Sequence, residues 1–200
     1  MSSSPVAWPT AAAYLLAGTI MVLGLAAPAS AASEDARDAR RDVLSGPKYT
    51  DDLPTRAEPA RRAGDITRTT VVLGKRLVIP TTYRSIDLTG EQDFQWLLKT
   101  STDHEDGSWI GYLTIPAGKT IGSFQLIDPL GNQPGCATAV TDRVKATVKL
   151  KVPASCLGNP AWVRVANGLT VITDSRVYED DARRDGEVRH GWKYGPKVTA

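Results

Sequence analysis

Residues 144–152 read VKATVKLKV, in which Val144, Ala146, Val148, Leu150 and Val152 alternate with Lys145, Thr147, Lys149 and Lys151. In an extended chain a period of two sends successive side chains to opposite faces, so the stretch predicts a strand with one buried and one wet face. Further toward the N-terminus, Phe94, Trp96 and Leu98 share a face opposite Gln95, Leu97 and Lys99, and Trp109, Leu113 and Ile115 extend the same apolar surface on the next strand. Between those two strands lies His104-Glu105-Asp106-Gly107, a turn signal because glycine accepts a positive φ without steric cost.

The same texture runs from 64 to 173: short segments rich in Val, Ile, Thr and aromatics, punctuated by Gly, Pro, Asn and Asp. The spacing matches the roughly 8–12 residues typical of sandwiches and barrels. Strands are predicted at 66–73, 76–88, 94–102, 108–115, 120–127, 137–141, 144–152, 162–167 and 169–173, with one helical turn near Cys156 and a glycine exit at Gly158. The expected fold is all-β, an antiparallel sandwich of jelly-roll or immunoglobulin-like type. Residues 32–63 are charged, proline-rich and short of bulky apolar side chains, and are expected to be a largely irregular lead-in. Residues 174–200 read as a charged C-terminal tail, docked by Tyr178 or Trp192.

Residues 11–29 carry no charge, and Ala29-Ser30-Ala31 offers the small-x-small pattern of a signal-peptidase site, so export with cleavage after Ala31 is expected. No Lys or Arg precedes the apolar run, which leaves a retained membrane anchor over 11–29 as the alternative. Without residues 1–31 the 200-residue chain keeps the size of one domain. A formal net charge of +2 excludes a nucleic-acid polycation, and a hydrophobic fraction of 42% suffices for a core. In an oxidising compartment the chain's 2 cysteines, Cys136 and Cys156, are expected to form a disulfide rather than a metal site or a catalytic thiol.

GDITR at 64–68 and PASCLGNPAWVRV at 153–165 resemble the opening strand and closing segment of a group of uncharacterised exported proteins from high-GC Gram-positive bacteria. The likeness covers about 42–181. It implies a β-sandwich and carries no activity or catalytic residues to transfer. Arg41-Asp42-Val43 stands where similar chains often show Gly-Asp-Val, which argues against a tight turn there.

The motifs for catalysis are sparse. With 2 histidines, His104 in a turn and His190 in the tail, a serine triad has little to draw on, and phosphate loops, dinucleotide fingerprints, HExxH and calcium loops are absent. Lys145, Lys149 and Lys151, joined by Arg143 and Arg164, are expected to form a basic stripe, read first as lysines on an edge strand that discourage sheet-to-sheet pairing, with contact to anionic wall polymers as the alternative. Tyr83, Tyr112 and Trp162 are candidate outward-facing aromatics able to stack on sugars, although for Trp162 core or inter-sheet packing near the disulfide is the favoured reading. The tail acids Asp174, Asp180 and Asp181, with Glu179 and Asp185, are a weak calcium candidate set; otherwise no metal or cofactor is expected. The reading is an exported, non-catalytic binding module at the cell envelope, with a cell-wall glycan or an envelope protein as ligand. Nucleic acid is not an expected partner, and membrane is one only if the leader is retained. The alternatives are an exported hydrolase using carboxylates near Glu105-Asp106 and a purely structural envelope protein.

Overall fold

The computed structural model describes residues 32–48, 53–103, 107–187, 189 and 191–200. The leader, the turn residues His104, Glu105 and Asp106, and His190 lie outside the described residues. The described strands are β1 (Ala32–Arg37), β2 (Leu44–Pro47), β3 (Arg56–Ala57), β4 (Ile66–Leu73), β5 (Arg76–Tyr83), β6 (Glu91–Thr100), β7 (Trp109–Ile115), β8 (Ser123–Ile127), β9 (Thr138–Asp142), β10 (Thr147–Pro153), β11 (Trp162–Ile172), β12 (Arg176–Asp181) and β13 (Val198–Thr199). A 3-10 turn, Ala154–Leu157, follows β10 and closes on Gly158 at φ 75°. No helix among the described residues is long and apolar enough to cross a membrane.

All pairings between these strands are antiparallel, and they build two sheets. The first runs β1-β4-β5-β10-β9; the second runs β3-β2-β12-β11-β6-β7-β8, with β13 beside β11. The protein is an antiparallel β-sandwich. Its inner faces follow the period of two: Leu73, Leu77, Ile79, Val148, Leu150 and Val152 from the first sheet, and Phe94, Trp96, Leu98, Leu113, Val165 and Leu169 from the second. A polar clasp crosses the middle of this core. Asn167 donates from Nδ2 to Thr69 Oγ1 at 3.1 Å and to Thr81 Oγ1 at 3.4 Å, tying β11 to β4 and β5.

Four differences from the sequence reading have physical causes. The lead-in, though mostly outside the described strands, contributes edge strands to both sheets: β1 pairs with β4 along its length, and β2 pairs with β12, burying Val43 and Leu44. Backbone hydrogen bonding to an open sheet edge orders a segment that its own side chains could not. The tail likewise contributes β12 and β13, so the sandwich extends beyond 64–173 on both sides. The strand expected at 144–152 begins at Thr147, because Ala146 takes φ 47° in the turn after Asp142, leaving Val144 98% exposed. Finally, Gly168 does not divide 162–173: β11 runs through it, and the missing side chain there has a different use.

Cys136 and Cys156 are bonded, with their Cα atoms 6.2 Å apart. The bridge ties the segment entering β9 to the 3-10 turn leaving β10, clamping both ends of that hairpin.

Candidate functional site

The outer face of the second sheet carries a row set by strand register. Gly168 on β11 lies opposite Gln95 on β6, Gln95 opposite Tyr112 on β7, and Tyr112 opposite Gln125 on β8. The C-terminal segment lays Trp192 onto this row. A Cβ on Gly168 would stand 2.5 Å from the indole, so only glycine leaves room for the ring. The indole Nε1 donates to Gln95 Oε1 at 3.1 Å, which orients the Gln95 amide and leaves its NH2 to donate outward.

Beside the indole opens a groove of about 270 Å³ lined by Gln95, Leu97, Thr170, Glu179, Arg189 and Leu53. Glu179 is opposite Thr170 in the register, and burial pushes its carboxyl above the usual carboxylate range. Arg189 is held by Glu187 at 2.6 Å. Further along the face, Tyr194 hydrogen-bonds Ser108 at 3.0 Å and lies under Lys99 and Arg164, while Lys197 sits 4.3 Å from the Trp162 ring centre. An aromatic wall with amide, hydroxyl, carboxylate and guanidinium groups around it suits a neutral polyhydroxylated ligand: the ring meets apolar C–H faces, and the polar groups meet hydroxyls.

The sequence candidates distribute unevenly over this architecture. Tyr112 stands on the outer face of the second sheet, cross-strand from Gln95. Tyr83 does not face outward: it is 4% exposed and packs edge-on against Phe94 with ring centres 5.4 Å apart. Strand β5 buries its odd-numbered positions from Leu77 on, and Tyr83 falls in that phase. Trp162 is half-buried on the second sheet.

Lys149 and Lys151 are exposed on the outer face of the first sheet, away from the groove. They belong to β10, which lies between β5 and β9, so they do not guard an edge. Lys145 is separated from them by the turn and pairs with Asp142 at 3.6 Å. Arg143 donates to the carbonyl of Asp87 at 2.6 Å, and Arg164 to that of Gly195 at 2.9 Å. The expected stripe therefore reduces to two lysines.

The acids Asp174, Asp180 and Asp181 do not come together. Asp174 is exposed before β12, and within β12 alternation sends Asp180 inward and Asp181 outward, where Asp181 pairs with Arg184 at 3.1 Å. Asp180 instead meets Asp38 and Asp42 from the loop between β1 and β2, each offering an oxygen within 4.8 Å of the others. Burial and like charge push Asp38 up to about 9 and raise Asp42 and Asp180 as well. Asp180 accepts from Ile66 N–H at 2.6 Å, Asp42 from Gly186 N–H at 3.1 Å and Asp38 from Ala39 N–H at 3.0 Å. Burial and mutual repulsion thus favour the protonated form of these carboxyls where the loop meets β12. Nothing in the spacing announces the cluster, since Asp180 lies 138 residues beyond Asp42 and 142 beyond Asp38. Trp192 and Gln95 had one visible signal, the lone tryptophan in a charged tail.

No protein family and no curated protein matches the chain.

Proposed function

We propose that this protein is an exported, non-catalytic module of the cell envelope that binds a glycan in the groove beside Trp192. The observation that carries this reading is the indole seated on Gly168 and bonded to Gln95, with Thr170, Glu179 and Arg189 around the same opening. The ring is fixed before ligand arrives, so stacking on a sugar face does not require ordering a mobile side chain. Export is supported by the charge-free leader with its Ala29-Ser30-Ala31 site and by the disulfide, a bond that persists in oxidising compartments. Cleavage after Ala31 leaves β1 whole, since it starts at Ala32.

Retention of the secreted form on purified peptidoglycan and polysaccharides, with and without 1 M salt, tests the reading. The expected result is retention that survives salt and is lost in Trp192→Ala. Retention abolished by salt but unaffected by Trp192→Ala would transfer the binding to charged groups and overturn it. Turnover of a glycan panel that disappears in Asp106→Asn would overturn the non-catalytic assignment. Mass spectrometry of the secreted chain checks the start at Ala32.

A further inference from the structure

At the end of the first sheet, away from the Trp192 groove, a second cavity of about 440 Å³ is lined by Arg40, Arg41, Arg62, Arg84, Thr67, Thr82 and Tyr83. Arg40 and Arg41 come from the loop between β1 and β2, Arg62 from the loop before β4, and Arg84 follows β5. Thr67 sits where the β4–β5 register shifts between Ile66 and Arg68; such a bulge re-aims side chains at a sheet end.

The charge in this cavity is largely uncompensated. Among the described residues the guanidinium groups of Arg40, Arg41 and Arg62 make no ion pair or hydrogen bond. Arg84 is anchored from below through one nitrogen only, Nη1, which meets fully buried Asp65 at 2.7 Å and the carbonyl of Arg61 at 3.3 Å. The other nearby carboxylates, Asp38 and Asp42, converge on Asp180 rather than on the arginines.

The backbone adds an independent sign. Arg41 takes φ 72°, a left-handed conformation that glycine adopts at no steric cost and a side-chain-bearing residue resists. The conformation is held by its own N–H, which donates to Asp65 Oδ2 at 2.9 Å. The carboxylate that anchors Arg84 thus also fixes Arg41. The chain bends at Arg40 and Arg41, and at the position whose positive φ favours glycine it carries a guanidinium that lines the cavity.

We propose that this cavity is a binding site for a phosphate-bearing ligand, gripped by Arg40, Arg41, Arg62 and Arg84. Several guanidinium forks approaching from three chain segments offer more donors than the two oxygens of one carboxylate can accept, whereas a phosphate presents three or four oxygens in a tetrahedron. The Thr82 hydroxyl at the cavity wall adds a neutral donor, while the Thr67 hydroxyl already donates to the carbonyl of Thr82 at 3.2 Å. The site stands independently of the glycan groove and does not rest on it.

Titration calorimetry of the secreted chain at low salt, with inorganic phosphate, pyrophosphate and a poly(glycerol phosphate) as probes and citrate as the carboxylate control, tests this. Pyrophosphate or the polymer is expected to bind, with citrate at least about tenfold weaker. Arg40→Gln combined with Arg62→Gln, both exposed positions, is expected to weaken binding at least about tenfold, the scale of one charge-assisted hydrogen bond. Lys149→Gln with Lys151→Gln leaves it unchanged, and so does Trp192→Ala. Arg41→Gly separates binding from folding: it relieves the positive φ, so the thermal midpoint holds or rises while affinity falls. Tighter binding of the polymer than of pyrophosphate assigns the phosphodiester of a polymer as the source, and the reverse assigns a small free phosphate. No binding of any phosphate probe, citrate binding as tightly, or equal losses from the lysine and arginine pairs would each overturn the assignment.

Discussion

The indole of Trp192 occupies the space a side chain on Gly168 would need: a Cβ there would stand 2.5 Å from ring carbons. One residue from the far C-terminus is thereby locked against the middle of β11, and the indole N–H reaches across to Gln95 on β6. Gly168→Ala should expel the ring. The expected outcome is a red-shifted, more quenchable tryptophan emission and loss of glycan retention, with a stability loss of about 1–3 kcal/mol from the clash at an otherwise intact strand. Unchanged emission together with unchanged retention would remove the platform from consideration.

Asn167 sits directly beside that glycine and points the other way, into the core, where it bonds Thr69 and Thr81 of the opposite sheet. Asn167→Ala leaves both hydroxyls without this donor and opens a small void. Urea unfolding should show a loss of about 1–3 kcal/mol at constant m-value, the usual cost of unsatisfied buried polar groups.

Proton linkage follows from the loop between β1 and β2. Asp38, Asp42 and Asp180 have folded-state pKa values above the unfolded value, with Asp38 near 9, so the folded state retains protons that the unfolded chain releases. Stability therefore falls as pH rises, beginning near the unfolded pKa of about 4 and continuing to the folded pKa values. The thermal midpoint should decline between pH 5 and pH 9, and Asp38→Asn, which keeps a side-chain oxygen to accept from the Ala39 N–H, should flatten that decline. A midpoint that climbs with pH over this window would contradict the protonated cluster.

The Cys136–Cys156 bond closes 20 residues of separation around the β9–β10 hairpin. In the chain-entropy account a loop of this size contributes about 3 kcal/mol. Reduction, or Cys136→Ser with Cys156→Ser, should lower the thermal midpoint by roughly 6–12 °C for a chain of this size. The midpoint in matched oxidised and reduced samples checks it.

Much of the sandwich is legible in the sequence. The spans of β4 and β7 follow from short β-branched and aromatic runs between turn residues, and the inward set Phe94, Trp96, Leu98, Val148, Leu150 and Val152 from side-chain alternation. Alternation failed where backbone geometry overruled it, as at Val144 and Ala146, whose apolar side chains continue the pattern into a turn. It also failed at Tyr83, where an aromatic residue near a strand end could be assigned to either face until the register was known.

The sequence by itself determined that this chain forms antiparallel ribbons with one buried face, and it supplied the two cysteines that close a hairpin. Those are local properties, written in the period of neighbouring residues. Only the tertiary structure decided that both charged ends become strands, that Trp192 meets Gly168, and that Arg40, Arg41 and Arg62 converge with Arg84 on one cavity. Such meetings depend on which sheet edge captures which segment, and an open edge offers backbone donors and acceptors that leave no periodic mark in the side chains they recruit.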